Sequence, residues 1–407
     1  MAGPLHGMKV LDLSRVLAGP WSSQILADLG ADVIKIERPG SGDDTRSWGP
    51  PYARGANGEP TSESAYFLSA NRGKKSVTID IATAEGQALV SGLAEQSDIL
   101  IENFKAGGLA NYGLDYETLA LLNPGLIYCS ITGFGQTGPY SHLPGYDFLI
   151  QGMGGLMSIT GDADEANGGG PIKTGVAVAD LFSGLYATVA ILAAFNRRNA
   201  TGRGDQIDIS LLDVQVAMLA NQAMNFLTTG NTPQRLGNAH PNIVPYQSFA
   251  TGDGHLILAI GNDDQFRAFC TATGRPELAT DARFATNPVR VANRAALIPI
   301  VADVLKTGTT RHWLDLFGAV SVPAGPINTI AEVFADPHVQ ARGLQLDLPH
   351  ATAAHVPSVA NPIRFGGAAL ETAAAPPALG QHTAEVLSQR LGLSRAEIDA
   401  LKAAGAI

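Results

Sequence analysis

The chain of 407 residues carries 27 Lys and Arg against 37 Asp and Glu, a formal charge of −10 at pH 7 with histidine neutral. That balance offers a polyanion no net attraction, so nucleic acid is not expected as a partner, although a local basic pocket for a phosphorylated ligand is compatible with it. At 45% hydrophobic and 16% charged residues the composition is that of a globular enzyme, and the length calls for two or three domains with an ample core.

The N-terminus, MAGPLHGMKVLDL, lacks a basic region followed by an apolar one, so no secretory signal is read. No window supplies the roughly 20 apolar residues of a bilayer span; the best, Val176 to Phe195, is interrupted by Asp180 and Ser183. The expectation is a cytoplasmic protein with no membrane partner. In chain order, Met8–Leu13 reads as a buried strand, Gly19-Pro20 opens a helix to about Leu29, and Val33–Ile36 reads as a second strand. Further strands are expected at Ser76–Ile79, Ile99–Glu102 and Leu126–Thr132, with helices at Ala84–Gln96 and Tyr116–Leu122. This alternation predicts an α/β fold with a parallel sheet, helices on its faces. A glycine-rich stretch, Gly152 to Gly170, suits backbone that turns sharply or approaches a ligand closely. An apolar helix over Val178–Arg197, a strand at Gln206–Ile209 and a helix over Leu211–Thr228 follow. Composition shifts near Gly230, and a smaller α+β pattern runs to about Pro326: a strand at Leu256–Ile260 and helices near Gln265–Thr273, Ala295–Thr307 and Arg311–Ala319. The remainder is Pro- and Ala-rich, with an extended segment at Glu371–Leu379 and a closing helix at His382–Leu391. The domains expected are 1–229, a large Rossmann-like domain; 230–330, a small α+β domain; and 331–407, a segment returning to the large one. Cys129 and Cys270 have no CxxC spacing, so neither a disulfide framework nor a metal site is expected.

Three features carry candidate chemistry. The turn Ser14–Pro20 joins a strand to a helix, where backbone N–H groups favour an anion, but it has no GxGxxG and serves equally as a plain connection. Basic residues follow successive strands: Lys35 and Arg38, then Arg46, then Arg72, Lys74 and Lys75. Strand ends of such sheets bind ligands, and cations there suit phosphates; each taken singly also reads as surface charge. Asp180 is a lone carboxylate opening the most apolar stretch of the chain. Position alone favours a helix N-cap; the glycine-rich approach favours a carboxylate that a substrate can reach. No Ser/His/Asp order, HExxH pair or P-loop offers a rival.

An ordered set of segments resembles the class III (CaiB/BaiF-type) CoA transferases nearly end to end. It comprises Val10-Leu-Asp-Leu-Ser with Ala18-Gly-Pro20, Gly30-Ala-Asp-Val-Ile-Lys-Ile-Glu-Arg-Pro39, Ile101-Glu-Asn-Phe104, Gly113-Leu-Asp-Tyr-Glu117, Ser130 to Pro139, Gly145-Tyr-Asp147, Gly154 to Gly161, the Asp180 segment and Gly380-Gln-His-Thr-Ala-Glu385. The resemblance implies that Asp180 is a nucleophile forming an aspartyl anhydride and then an aspartyl-CoA thioester, with no metal and no permanently bound cofactor, CoA thioesters being substrates. It implies CoA contacts at Arg15, Val16, Ala18, Arg38, Lys74, Asn103 and Phe104. Asn111 stands where family members can carry Arg, and Lys105 is a candidate substitute. It also implies an interlocked homodimer. The segments Arg235 to Tyr246 and Ala259 to Phe266 look most like the branch using succinyl-CoA and dicarboxylic acids, where Arg235 or His240 would bind a distal carboxylate; a linker arginine and a structural histidine fit those positions as well. Related α-methylacyl-CoA racemases use a His in the Gly-x-Asp motif. Tyr146 stands there, and a phenol, titrating ordinarily near ~10, is a poor base. Racemase and a non-catalytic CoA-binding module are therefore the alternatives to transferase.

Overall fold

The computed structural model describes residues 3–164, 166, 168–371 and 374–407. The chain divides into two compact units, one of Met1–Leu156, Thr174–Met224 and Pro337–Ile407, the other of Met157–Lys173 and Asn225–Asp336.

The first unit is built on six parallel strands: β1 (Lys9–Asp12), β2 (Asp32–Glu37), β3 (Lys74–Thr78), β4 (Ile99–Glu102), β5 (Ile127–Thr132) and β6 (Asp205–Ser210). Their order across the sheet is β3-β2-β1-β4-β5-β6. The strands are near-continuous apolar runs because both faces are covered. On one face Val10, Val33, Ile99, Ile101, Ile127 and Ile131 pack with α1 (Ala18–Asp28) and the long helix Val178–Thr201. On the other, Leu11, Ile34, Leu100 and Tyr128 pack with α2 (Ala84–Glu95), α3 (Tyr116–Leu122) and two C-terminal helices, which contribute Val386, Leu387 and Ile398. The tail thus completes the large unit. The second of those helices, Arg395–Ala403, opens on a Ser394–Glu397 capping box and lies beyond the helix expected to close the chain. The extended segment near Pro377 does lie on the large unit, Gly73 N–H donating to Ala374 O at 2.8 Å and Arg46 to Pro377 O at 3.1 Å. Thr372 and Ala373 lie outside the described residues. An antiparallel hairpin, Gln345–His350 with Ala354–Val359, was not visible as periodicity.

After β5 come α4 (Asp147–Met153) and α5 (Val178–Thr201). By length and composition α5 would suit a membrane span, so the expectation that no segment reaches that length does not hold. One side of it packs inward: Ala187 and Ile191 are fully buried, Ser22 and Thr188 share a hydrogen bond of 3.0 Å, and a Cβ on Gly184 would lie 2.6 Å from Ala18 O. That close crossing fixes the start of α5 against the start of α1. The expected helix Leu211–Thr228 is two, α6 (Leu211–Met218) and α7 (Ala220–Thr229), broken where Ala220 takes φ +43°.

The second unit holds a three-stranded antiparallel sheet, Ala324–Pro326, His255–Ala259 and Tyr246–Ala250 in that order, packed by helices over a core of Phe266, Phe269, Trp313 and Phe317. Arg290 is wholly buried there, donating to Val244 O, Phe284 O and Asp263, its guanidinium 4.4 Å from the centre of the Phe266 ring. Burying that charge is tolerable because every face of it is occupied.

Candidate active site

The strand order reverses between β1 and β4, and in open α/β sheets the crevice at such a reversal is where ligands sit. Two cavities open there at the carboxyl ends of the strands. One, about 390 Å³, is lined by Glu37, Arg38, Gly42, Ile79 and Ala82. The other, about 450 Å³, is lined by Val16, Ala18, Asn103, Lys105, Tyr146 and Asp180. Arg15, Asp44, Phe104 and Tyr112 belong to both, so the two adjoin across these residues.

The wall between them is the β1–α1 loop. Val16 sits at φ +69°, a conformation that a β-branched residue adopts only when its surroundings impose it. Here Asp43 imposes it: both carboxylate oxygens lie 3.3 Å from the Val16 N–H. Asp43 is itself held by Lys35 at 2.9 Å, and Lys35 donates at 2.7 Å to Ser14 O. Beside this pair Lys74 meets Asp12 at 3.2 Å, and Asp12 accepts from Ser14 and Ser23. The side chains of Lys35, Asp43, Lys74 and Asp12 are wholly buried. Burial opposes ionisation of Asp43, but Lys35 and the Thr45 hydrogen bonds outweigh it and bring the carboxyl down to about 2. Burial likewise works against the Lys35 ammonium, yet Asp43, Asp12 and Glu37 together leave its pKa raised. Above this lattice Arg15 pairs with Asp44 at 2.8 Å and lies 5.6 Å from the centre of the Phe104 ring; Asn103 binds the Arg15 N–H and C=O reciprocally at 2.8 and 2.7 Å.

Asp180 is the third residue of α5, part-buried, and its carboxylate makes no hydrogen bond among the described residues. The capping role is taken by another residue. Asp147, at the start of α4, accepts the Ala179 N–H at 2.8 Å with one oxygen and Gln151 Nε2 at 2.7 Å with the other. Burial, then the negative charge of Asp147, pushes the Asp180 carboxyl up to about 7. The phenol of Tyr66 feels the same region: burial and the charges of Asp180, Asp147 and Asp43 raise its pKa, and its ring meets Trp48 edge-on at 5.1 Å. Tyr146 stands on the rim, 66% exposed, placed by a crossing of Gly145 over Gly133 so tight that a Cβ on Gly145 would lie 2.4 Å from Gly133 Cα.

Arg15, Val16, Ala18, Asn103, Phe104, Lys105, Tyr146 and Asp180 therefore come together in one cavity, with Asn111 beside them. Arg38 lines the adjoining cavity, exposed and without an acidic partner among the described residues. The other cations after the strands are occupied: Arg46 by Glu37, Arg72 by Asp28 and Lys75 by Asp32. Lys74 is a correction. Expected at the ligand, it has no exposure, and its three donors are taken by Asp12, Pro20 O and Asn71. Arg235 and His240 belong to the second unit. Arg235 ties down a loop, donating to Asp162 O, Ser158 O and the Asp164 carboxylate. His240 accepts the Asn242 N–H, and burial with the Arg294 charge lowers its pKa, so at neutral pH it is an uncharged ring. Glu165 and Asn167 of the glycine-rich stretch lie outside the described residues. Among the described residues no group of three His, Cys, Asp or Glu could hold a metal. Asp43, Asp44 and Tyr66 were not anticipated: Asp43 reads locally as a cap for the turn at Thr45, while its hold on Val16 and that of Asp44 on Arg15 span 27 and 29 positions.

A Rossmann-type strand order, with cavities at its reversal point and a carboxylate without a hydrogen bond among the described residues in one of them, is the arrangement in which α/β enzymes hold their ligands. Residues 5–383 match the model of CoA-transferase family III, and the chain belongs to that family and is a CoA transferase. It is 53% identical over 386 residues, 95% of each chain, to the succinate–glutarate CoA-transferase of Agrobacterium fabrum. It is 44% identical over 404 residues to the succinyl-CoA:glutarate CoA-transferase of Mus musculus, covering 99% of this chain and 90% of that one. Among solved structures, a CaiB/BaiF family protein from Brucella suis superposes with a TM-score of 0.83 at 51% identity, covering 96% of this chain and all of that one. A hypothetical protein of Mycobacterium tuberculosis superposes at 0.81 with 30% identity, covering 94% and 99%.

Proposed function

We propose that this transferase moves CoA from succinyl-CoA to a dicarboxylic acid of the glutarate class through covalent intermediates on Asp180. The observation that carries the reading is the state of that carboxylate: reachable from the cavity, without a hydrogen bond among the described residues, and raised in basicity by burial and Asp147. A carboxylate that still ionises at neutral pH, but is more basic than usual, is suited to attack. The donor and acceptor classes rest on the names of the relatives.

The steps follow from that group. The Asp180 carboxylate attacks the thioester carbonyl, giving an aspartyl–succinyl anhydride and CoA thiolate. The thiolate attacks the aspartyl carbonyl, giving an aspartyl-CoA thioester and free succinate. The acceptor carboxylate attacks this thioester, forming a second anhydride and releasing the thiolate, which attacks the acceptor acyl carbon and restores Asp180. Each thiolate must stay nearby, so the CoA body has to remain bound throughout. The adjoining cavities suit this: Arg38 offers a cation for phosphate at one end, and the other end reaches Asp180. No imidazole among the described residues lines the Asp180 cavity, which supports transfer over racemisation.

The protein is further read as an interlocked homodimer. The support is family resemblance together with exposed apolar side chains on α4 and α5, Phe148, Leu149, Phe182, Leu185, Tyr186 and Val189, more than a lone subunit ordinarily leaves to water. A monomer by sizing at micromolar concentration would remove this part of the reading. For the chemistry, succinyl-CoA is incubated with a panel of mono- and dicarboxylic acids and products are read by mass, with Asp180→Ala alongside. New acyl-CoA made from glutarate by the wild type alone supports the whole reading. Transfer by Asp180→Ala at the wild-type rate would end it.

A further inference from the structure

A third cavity, about 540 Å³, adjoins the Asp180 cavity; Lys105, Ala106, Gly108 and Ser141 are walls of both. Glu102 lines only this third space. It ends β4, is 5% exposed, and forms no ion pair among the described residues. One carboxylate oxygen accepts the Phe104 N–H at 2.7 Å, and the carboxylate also takes the hydroxyl of Ser130, its register partner on β5. The residues it braces are the ones that reach the substrate side. Asn103 clamps the Arg15 backbone from both sides, and Phe104 lines both adjoining cavities.

A neutral side chain would accept these two hydrogen bonds without the cost of burying a charge. A glutamate in that place makes the brace sensitive to its own proton. We propose that Glu102 is a positioning residue for acyl-CoA: ionised, it holds the Asn103–Phe104 turn against Arg15, and on protonation the turn loosens and acyl-CoA binds more weakly while the chemical step is unchanged. The inference rests on reading the adjoining cavities as the CoA site.

Its surroundings set where this happens. Burial pushes the carboxyl up to about 7, with the charge of Asp208 on β6 adding to it and the Ser130 and Phe104 hydrogen bonds opposing it. The other ionisable groups lining the space are Lys105, Asp115, Tyr116, Glu117, Tyr128 and His142. Tyr128 and its neighbour Cys129 are themselves pushed up by burial and stay protonated, so they do not titrate in this range. Lowering pH across neutrality therefore converts a charge-assisted hydrogen bond to Phe104 into an ordinary one.

The test is KM for succinyl-CoA and kcat between about pH 6 and 8.5, in wild type, Glu102→Gln, Glu102→Ala and Arg38→Ala. Wild-type KM is expected to rise about fivefold as pH falls across this range, on top of any change shared by all variants. Glu102→Gln keeps an acceptor but cannot titrate, so its KM should hold near the acid-limb value while kcat keeps the wild-type midpoint. Parallel KM profiles in wild type and Glu102→Gln would overturn the proposal. Glu102→Ala is expected to raise KM at every pH with kcat within about twofold; if it does not fold, Glu102→Gln decides alone. Arg38→Ala separates the two readings. An unchanged KM there sinks the cavity assignment, whereas a raised KM with parallel Glu102 profiles sinks only the role of Glu102.

Discussion

Asp43 and Asp180 are both carboxylates sheltered from water within one unit of the fold, and their environments drive them apart. Asp43 is surrounded by a cation, two threonine donors and a backbone N–H, and its carboxyl falls to about 2. Asp180 has no cation and no donor among the described residues, faces a second carboxylate, and rises to about 7. Desolvation acts in the same direction on both; what differs is pairing. The paired group holds a strained loop in place, and the unpaired one is left with reactivity to spend. A fully satisfied buried network defines geometry, while an unsatisfied one marks where chemistry is expected.

The widest test of that contrast is removal of the unpaired group. Asp180→Ala and Asp180→Asn should each lower kcat by at least about 10⁴-fold, since no other nucleophile replaces it. CoA affinity, measured by calorimetry, should stay within a few fold. A residual rate above about a hundredth of wild type would mean that Asp180 does not carry the covalent step. The next largest effect breaks the paired region. Lys35→Met strips the cation from Asp43 and should cost about 3–5 kcal/mol in urea unfolding, because it strands a buried charge. A loss below about 1 kcal/mol would show the lattice to be replaceable by packing.

Stability supplies the opposite sign at Asp180. A carboxyl whose folded pKa lies above its unfolded value binds its proton more tightly in the folded state. Ionisation therefore costs stability progressively as pH rises from about 4 to about 7. At pH 8 Asp180→Asn should stabilise the fold by up to about 4 kcal/mol, three units at about 1.4 each, and by nothing near pH 3. An inactive variant whose gain in melting temperature grows between about pH 4 and 7 and then levels off would identify the same residue by a measurement that never touches substrate. Equal melting curves at pH 8 would mean that the carboxylate is better solvated than its geometry implies.

How far the sequence could anticipate this differs between the two regions. The strands of the large sheet were legible because each is a short apolar run between turn residues, and all six were placed within two residues at each end. Asp180 was legible as a carboxylate out of place in apolar surroundings. That it is not the cap was not legible, because the cap comes from Asp147, 33 positions earlier. The lattice was wholly hidden. Lys35, Asp43, Asp12 and Lys74 look like ordinary surface charges in a linear reading; the β1–β2 register sets Asp12 beside Lys35, β3 brings in Lys74, and the loop after β2 folds Asp43 back onto Lys35. Lys74 was expected at the ligand from the family resemblance, and nothing in its local sequence marks it as buried against Asp12. Segment 157–173 carries no compositional mark of grouping with 225–336, since such grouping depends on contacts rather than on composition.

Asp147 sharpens the comparison within the active site. Burial is the larger cause of the raised Asp180 pKa and Asp147 the smaller. The rate of transfer should therefore rise with pH through a midpoint near 7, as Asp180 loses its proton. Asp147→Asn should move that midpoint down by about half a unit to one unit, leaving it well above an ordinary aspartate. Asparagine caps about as well as aspartate and its amide oxygen can still accept the Ala179 N–H, so stability should stay within about 1 kcal/mol. An unmoved midpoint would assign the whole elevation to burial.

The smallest expected effect falls where the two regions touch, at Val16. Its N–H is held by the lattice, and its own residue lines the Asp180 cavity at φ +69°. Glycine takes that conformation without strain, which should return about 1–3 kcal/mol, but its greater freedom in the unfolded chain takes back about 0.5–1. Val16→Gly should thus leave stability equal or higher by about 1 kcal/mol, the reverse of what valine truncation does at an ordinary buried site. Val16→Ala retains the backbone cost and should show no such gain. If Val16→Gly destabilises instead, the side chain's packing outweighs its strain. In that case the lattice selects a conformation that valine already favours in context, rather than forcing one.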